Sequence, residues 1–255
     1  IELSRALLSN WVDACCQLMT PLNDTLYRYV MNTRKVHTDD TPVKVLAPGR
    51  KKAKTGRIWT YVRDDRNAGS SEPPAVWFAY SPDRQGKHPV QHLRPFRGIL
   101  QADAFSGYDR LFSAEREGGA LTEVACWAHA RRGFADLYKI SKDPRAAIAV
   151  KKIAGLYRLE KKISSRPVEK IRQWRQRYAR PILEDLWSWL EEQEPQCSPG
   201  RALHKAIVYA LSHRVELSRF LEDGAVPLDN NVCERAIKNV VLGRKSWLFA
   251  GSQMA

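Results

Sequence analysis

Four carboxylates stand where a solvated charge is not normally placed. Asp39 and Asp40 interrupt the β-rich run "KVHTDDTPVKVL", Asp103 ends the apolar run "GILQAD", and Glu234 lies inside "VPLDNNVCERAIKNV". An ionised carboxylate in such surroundings is costly unless it is paired or bound to a cation. Oxygen ligands from two or three carboxylates suit Mg²⁺ or Mn²⁺. Two such ions about 3.5–4 Å apart can activate a water or hydroxyl and stabilise the leaving oxygen of a phosphodiester. Spacing alone does not single out that chemistry, because α/β domains commonly carry acids near strand ends.

Glu234 has a competing role. Asn231 followed three residues later by Glu234 reads as an Asn form of the capping box, with Asp229 or Asn230 as alternative caps. At 3.6 residues per turn, Val232, Cys233, Ala236, Ile237, Val240 and Val241 share one broad face, while Arg235, Lys238 and Asn239 take the other. Glu234 falls at the border, and helical phase leaves cap and metal ligand both open.

Elements of changing periodicity must position these acids. Leu7, Leu8, Trp11, Val12, Leu18, Leu22, Leu26 and Tyr29 recur at helical spacing, and Pro21 should break or kink the run, so residues 1–34 read as two helices. The piece "SRALLSNWV" reads either as the second helix of a helix-turn-helix or as a plain packing helix. From Lys35 the pattern turns to three short strands, "KVHTDDTPVKVL", "RIWTYVR" and "AVWFAYS", joined by the basic turn "APGRKKAKTGR" and the polar loop "DDRNAGSSEPP". A helical piece, "HPVQHLRPF", leads to a fourth strand, "RGILQADAF", and "LTEVACWAH" reads as a fifth. After Trp127 the chain is helical, punctuated by Pro144, Pro167, Pro181 and "PQCSPG". One more helix starts near Asn231, followed by "LGRKSWLFAGS", a basic turn with a short apolar strand or hook. This is a mixed α/β order.

Lys and Arg outnumber Asp and Glu by 42 to 28, for a formal net charge of +14, which favours a polyanionic partner such as nucleic acid. No apolar run approaches the ~20 residues of a membrane span, and no signal-peptide layout opens the chain, so it reads as intracellular. Five cysteines, including adjacent Cys15 and Cys16, do not form a disulfide framework. "CWAH" places Cys126 and His129 at half a zinc spacing without a second half, which favours a free buried cysteine. A start without Met and a stop at "FAGSQMA" suggest a piece of a longer polypeptide.

The strings "HTDDTPVKVLAPGR", "GRIWTYVRDDR", "AVWFAYSPDRQGKHP", "GILQADAFSGYD", "EVACWAHARRGFADL" and "LDNNVCERAIKNVVLGRKSWLFAGS" together resemble, in order and spacing, the transposases of the insertion sequence 66 family, from about Leu3 to the last residue. The resemblance implies a DDE transposase: a ribonuclease H-like mixed sheet flanked by helices, with a large all-α insertion before the last catalytic helix. On that frame residues 35–144 form the first part of the core, 145–223 the insertion, and 224–255 the last part. The catalytic and metal-binding acids fall on Asp39, Asp103 and Glu234. The resemblance selects Asp39 over Asp40, which strand periodicity leaves undecided; Asp40 stands where the family usually has Glu.

The implied cofactor is Mg²⁺ or Mn²⁺ as two ions. The implied partners are double-stranded DNA, as transposon ends and target, further copies of the chain on that DNA, and helper proteins. No membrane is implied, and the location is cytoplasmic, with the bacterial nucleoid. Phosphate contacts are expected from His129, Arg131, Arg132, Arg244, Lys245, Lys51 and Lys52, with Asp229, Asn230, Asn231 and Arg235 supporting the last acid. His129 has proton transfer as an alternative role, and Trp247 reads as packing. Rival readings are a cellular ribonuclease H-like nuclease or resolvase, and a non-catalytic basic DNA-binding module.

Overall fold

The structure is a computed structural model that describes residues 3–46 and 52–246. The expected N-terminal helices are α1 (Arg5–Leu18) and α2 (Thr20–Met31). The break comes at Met19, because Pro21 lies in the first turn of α2, where its missing N–H costs nothing. The strands are β1 (Lys35–Val45), β2 (Lys54–Arg63), β3 (Ala75–Ser81), β4 (Ile99–Ala102) and β5 (Thr122–Ala125), with α3 (Lys87–His92) between β3 and β4. They form one sheet in the order β3-β2-β1-β4-β5, antiparallel from β3 to β1 and parallel from β1 to β5.

The start of β4 approaches the residue before β1 closely. Gly98 has φ +126°, and a Cβ there would sit 2.3 Å from the Arg34 carbonyl, so only glycine lets β4 enter beside β1. Side chains of one sheet face, Val36, Trp59, Tyr61 and Leu100, pack with Val30 and Met31 of α2 and with Leu93, Phe96, Tyr108 and Leu111 into an aromatic-rich core.

The second core is helical: α4 (Trp127–Ser141), α5 (Pro144–Ile163), α6 (Val168–Trp174), α7 (Arg180–Gln193), α8 (Ala202–Ser212) and α9 (Arg214–Ser218). It is centred on Trp127, Phe134, Leu156, Leu186, Trp187 and Ile207, and reaches the sheet through Val124 and Ala125 of β5. Pro181 punctuates the helical region by falling in the first turn of α7. A π-helical stretch, Arg175–Ala179, joins α6 to α7 ahead of the proline and absorbs its disruption. Buried Arg175 pairs with Glu160 at 2.7 Å and donates to the carbonyls of Phe220, Asp223 and Val226 at 2.8 Å each. It thereby fixes the segment that leads back to the sheet.

That segment enters α10 (Asn231–Ser246), which packs Cys233 and Ile237 over β1 and β2 on the face opposite the aromatic core. "LGRKS" is the last turns of α10 and not a separate basic turn, since one glycine inside a helix costs only about 1 kcal/mol. The expected strand or hook at Trp247–Ser252, Trp247 itself and Lys51 lie outside the described residues. No described helix is long and apolar enough to cross a membrane.

Candidate active site

Strand alternation separates the two adjacent acids of β1. Thr38 and Asp40 point into the aromatic-core side, where Thr38 Oγ1 meets Tyr108 Oη. Asp40, 2 % exposed, is held there by Arg57 at 2.9 Å and Arg84 at 2.8 Å. His37 and Asp39 point to the opposite face, beneath α10. Asp40 is thus paired between two guanidiniums, while Asp39 faces α10 on the other side of the sheet.

Asp103 follows β4 on the same face as Asp39, since Gln101, two residues earlier, donates to the Pro227 carbonyl of the segment before α10. Its backbone is fixed twice. Ala104 sits at φ +57°, an uncommon conformation for a residue with a Cβ, and the Tyr209 hydroxyl of α8 donates to the Asp103 carbonyl at 3.2 Å. The Asp103 carboxylate lies 3.7 Å from Arg84, which also holds Asp40.

Glu234 owes its position to Asn230. The Asn230 side chain is buried and turned inward, donating to the Thr38 carbonyl at 2.8 Å and meeting His37 Nδ1 at 3.0 Å, while its N–H donates to Cys126 Sγ at 3.1 Å. Burial pushes the His37 imidazole down to about 3, so it stays neutral in this contact. The Asn230 carbonyl accepts the first helical bonds, from Cys233 and Glu234, which makes Asn230 the cap residue and Asn231 the first residue of α10. The capping box expected from Asn231 to Glu234 is therefore not formed. Asp229 instead accepts from the Asn231 N–H and amide, closing the turn, and leaves the Glu234 carboxylate free to face the sheet.

Burial pushes the Asp39 carboxyl up to about 7, followed by repulsion from Asp103 and smaller contributions from Asp40 and Glu234. Asp103, just after β4, and Glu234, on α10, thus both act on the buried Asp39 carboxyl of β1. Asp39 and Glu234 line a cleft of about 280 Å³ together with Thr41, His129, Arg132 and Lys238. Arg132 lies 3.3 Å from Glu234 Oε1, and His129 Nδ1 lies 3.9 Å from the same oxygen. Burial, then Arg132, holds the His129 imidazole below its ordinary range. Cys126, one turn before His129, is buried, and burial pushes its thiol up to about 11. Arg84 stands beside Asp103 and Arg132 beside Glu234, while Asp39 has no basic side chain paired with it among the described residues; oxygen donors of this kind are suited to a divalent ion.

The remaining expected contacts divide. Arg131 and Asn231 line a second cavity of about 350 Å³ with Ala128, Ala154 and Tyr157, on the other side of the first turn of α4. Arg235 and Asp229 line a third, of about 540 Å³, with His37 and Arg66. Arg244 donates to Thr41 Oγ1 at 2.6 Å and the Pro42 carbonyl at 2.7 Å, tying α10 to β1. Lys245 and Lys52 are exposed. Sequence reasoning did not single out Arg84, Tyr209 or Lys238. The spacing Glu234–Lys238 is four residues, one helical turn, and was the signal available for Lys238.

The whole chain, residues 1–255, matches the model of the IS66 transposase family. The chain belongs to that family. Among its relatives are three proteins of Sinorhizobium fredii (strain NBRC 101917 / NGR234), each named as uncharacterized. Protein y4hP is 36 % identical over 265 residues, covering 99 % of this chain and 48 % of y4hP. Protein y4jD is 33 % identical over 254 residues, covering 99 % and 50 %, and y4qI is 33 % identical over 256 residues, covering 99 % and 48 %. The IS66 family chain described here therefore spans about half the length of these curated relatives.

Proposed function

We propose that this chain is the catalytic part of a DNA transposase that cleaves at transposon ends and joins the freed ends to target DNA. The observation that supports the reading is that Asp39 is buried beside Asp103 and Glu234, both of which push its carboxyl up, and shares a cleft with Glu234. On this reading the β3-β2-β1-β4-β5 sheet is a ribonuclease H-like core in residues 35–144 and 224–255, preceded by a helical segment (1–34) and interrupted by a helical insertion (145–223). Mg²⁺ or Mn²⁺, as two ions held by Asp39, Asp103 and Glu234, would supply nucleophile activation and charge neutralisation at a phosphodiester.

The chain's own residues supply position. Asp39 lies on β1 and Asp103 directly follows β4, the parallel neighbour of β1, while Asn230 sets the height of Glu234 above them. Arg132 and Lys238 border the same cleft and are suited to the phosphates flanking the reacting bond, which they would orient without reading sequence. Water cleaves the phosphodiester at the transposon end and leaves a 3′ hydroxyl; that hydroxyl then displaces the leaving oxygen of a target phosphodiester. No covalent enzyme intermediate is needed, and catalysis rests on positioning and charge stabilisation. Joining two ends to one target calls for more than one copy on the DNA, with helper proteins as further partners.

Asp39→Asn, Asp103→Asn and Glu234→Gln, made singly, are expected to abolish Mg²⁺- or Mn²⁺-dependent cleavage of end-containing DNA. Cleavage surviving all three would sink the carboxylate assignment. Recovery of joined as well as nicked products separates a transposase from a nuclease of the same fold.

A further inference from the structure

Three imidazoles among the described residues, one buried and two half-buried, are engaged. His37 meets Asn230 at 3.0 Å, His92 meets Tyr61 at 2.9 Å and His88 meets Asp83 at 2.7 Å. His129 is different: its Nδ1 is buried and has no hydrogen-bond partner among the described residues. A buried polar atom left without a partner is expensive, and such atoms call for an explanation, an ion among them.

The geometry around that atom is the geometry of a ligand pair. His129 Nδ1 stands 3.9 Å from Glu234 Oε1, and one ligand atom each from Cys126, His129 and Glu234 lie within 4.8 Å of one another. Two atoms each about 2.1 Å from a shared ion lie about 3 Å apart at a right angle and about 4.2 Å apart across it. The observed separation falls inside that span. His129 is also held in place before any ion arrives. It lies in the first turn of α4, whose opening residue Trp127 donates its N–H to the Leu228 carbonyl and its Nε1–H to the Leu217 carbonyl. Cys126 is the poorer candidate of the three, because its sulfur already accepts the Asn230 N–H and its thiol is buried and neutral. Arg132, the present neighbour of Glu234, is half-exposed and able to turn outward.

Resting on the carboxylate site proposed above, we infer that His129 Nδ1 is a further ligand, sharing one ion with Glu234, and that this nitrogen biases the site toward Mn²⁺ over Mg²⁺. Mg²⁺ favours oxygen and retains its waters, whereas imidazole suits transition ions. The pair Glu234–His129 therefore forms one half of the site with mixed oxygen and nitrogen donors, and Asp39 with Asp103 forms an all-oxygen half.

The test uses Mn²⁺ itself as the probe, with the intact 255-residue chain. Pulsed electron paramagnetic resonance of the Mn²⁺-bound chain should show nitrogen coupling of imidazole type, lost in His129→Gln and His129→Asn. Those variants should bind Mn²⁺ at least about tenfold more weakly, with the Mg²⁺ affinity changed by less than about threefold. Absence of nitrogen coupling in the parent, or its survival in both variants, overturns the inference and leaves the carboxylate reading standing. Mn²⁺ binding that is undetectable at millimolar concentration, or indifferent to Asp39→Asn and Glu234→Gln, overturns both. The parent spectrum and the carboxylate variants decide these outcomes even where a His129 variant fails to fold.

Discussion

Asp39 and Asp40 are neighbours with opposite fates, and the difference is one of strand face. Alternation alone could not assign them, because both faces of β1 are covered: residues 35–38 are all buried, so no solvent side marks the register. Only the partners decide, Arg57 and Arg84 for one acid, Asp103 and Glu234 for the other. A consequence follows for stability. The Asp39 carboxyl has a folded pKa of about 7 against 3.8 unfolded, so between those values the folded chain holds a proton that the unfolded chain has lost. Stability of the metal-free protein therefore falls as pH rises through that window. Asp39→Asn removes the effect: its stabilising gain over the parent should be absent near pH 3.5, grow to pH 7 and level off, with a ceiling of about 4 kcal/mol at 1.36 kcal/mol per unit. Urea titrations across pH with a chelator present measure it. A gain that is constant with pH would show that Asp39 is not a strained acid.

At the level of elements, most strands were legible because their runs are β-branched and aromatic and are bounded by turn residues; β3 spans Ala75–Ser81 as its residues indicate. The start of α10 was less so. Asp229, Asn230 and Asn231 are all good caps, and the choice rests on contacts of Asn230 with Thr38 and His37, more than 190 residues away in sequence. Local pattern carries no record of such contacts. The same holds for Tyr209, whose hydroxyl links α8 to the backbone of Asp103 across 106 positions. With Ala104 in the left-handed region directly after Asp103, at a cost of about 1–2 kcal/mol, that hydrogen bond helps to hold a conformation the chain would otherwise leave. Tyr209→Phe should lower stability by only about 1 kcal/mol. It should lower the cleavage rate by about tenfold, because Asp103 is then free to relax. Unchanged turnover with unchanged metal affinity would show that the helical region carries Asp103 without positioning it.

For the whole molecule, the net charge of +14 favours a polyanionic partner but does not say where it would bind. The structure distributes it unevenly. On α10, Arg235, Lys238 and Lys245 are exposed at intervals of three and seven residues, forming a basic stripe that leaves the cleft beside Glu234. Lys161 and Lys162, at the end of α5, are exposed on the helical region and were equally plausible contacts from composition. Each phosphate neutralised on duplex DNA contributes about −0.9 to the slope of log K against log salt. If DNA follows the α10 stripe into the cleft, replacing Lys238 and Lys245 together by Ala should make the slope shallower by about 1.8, and replacing Lys161 and Lys162 should leave it unchanged. Fluorescence anisotropy with an end-containing duplex, from about 50 to 200 mM salt, reads both. The opposite pattern would move the DNA onto the helical region, and equal losses from both pairs would mean that it contacts the two together, with the duplex bridging α5 and α10.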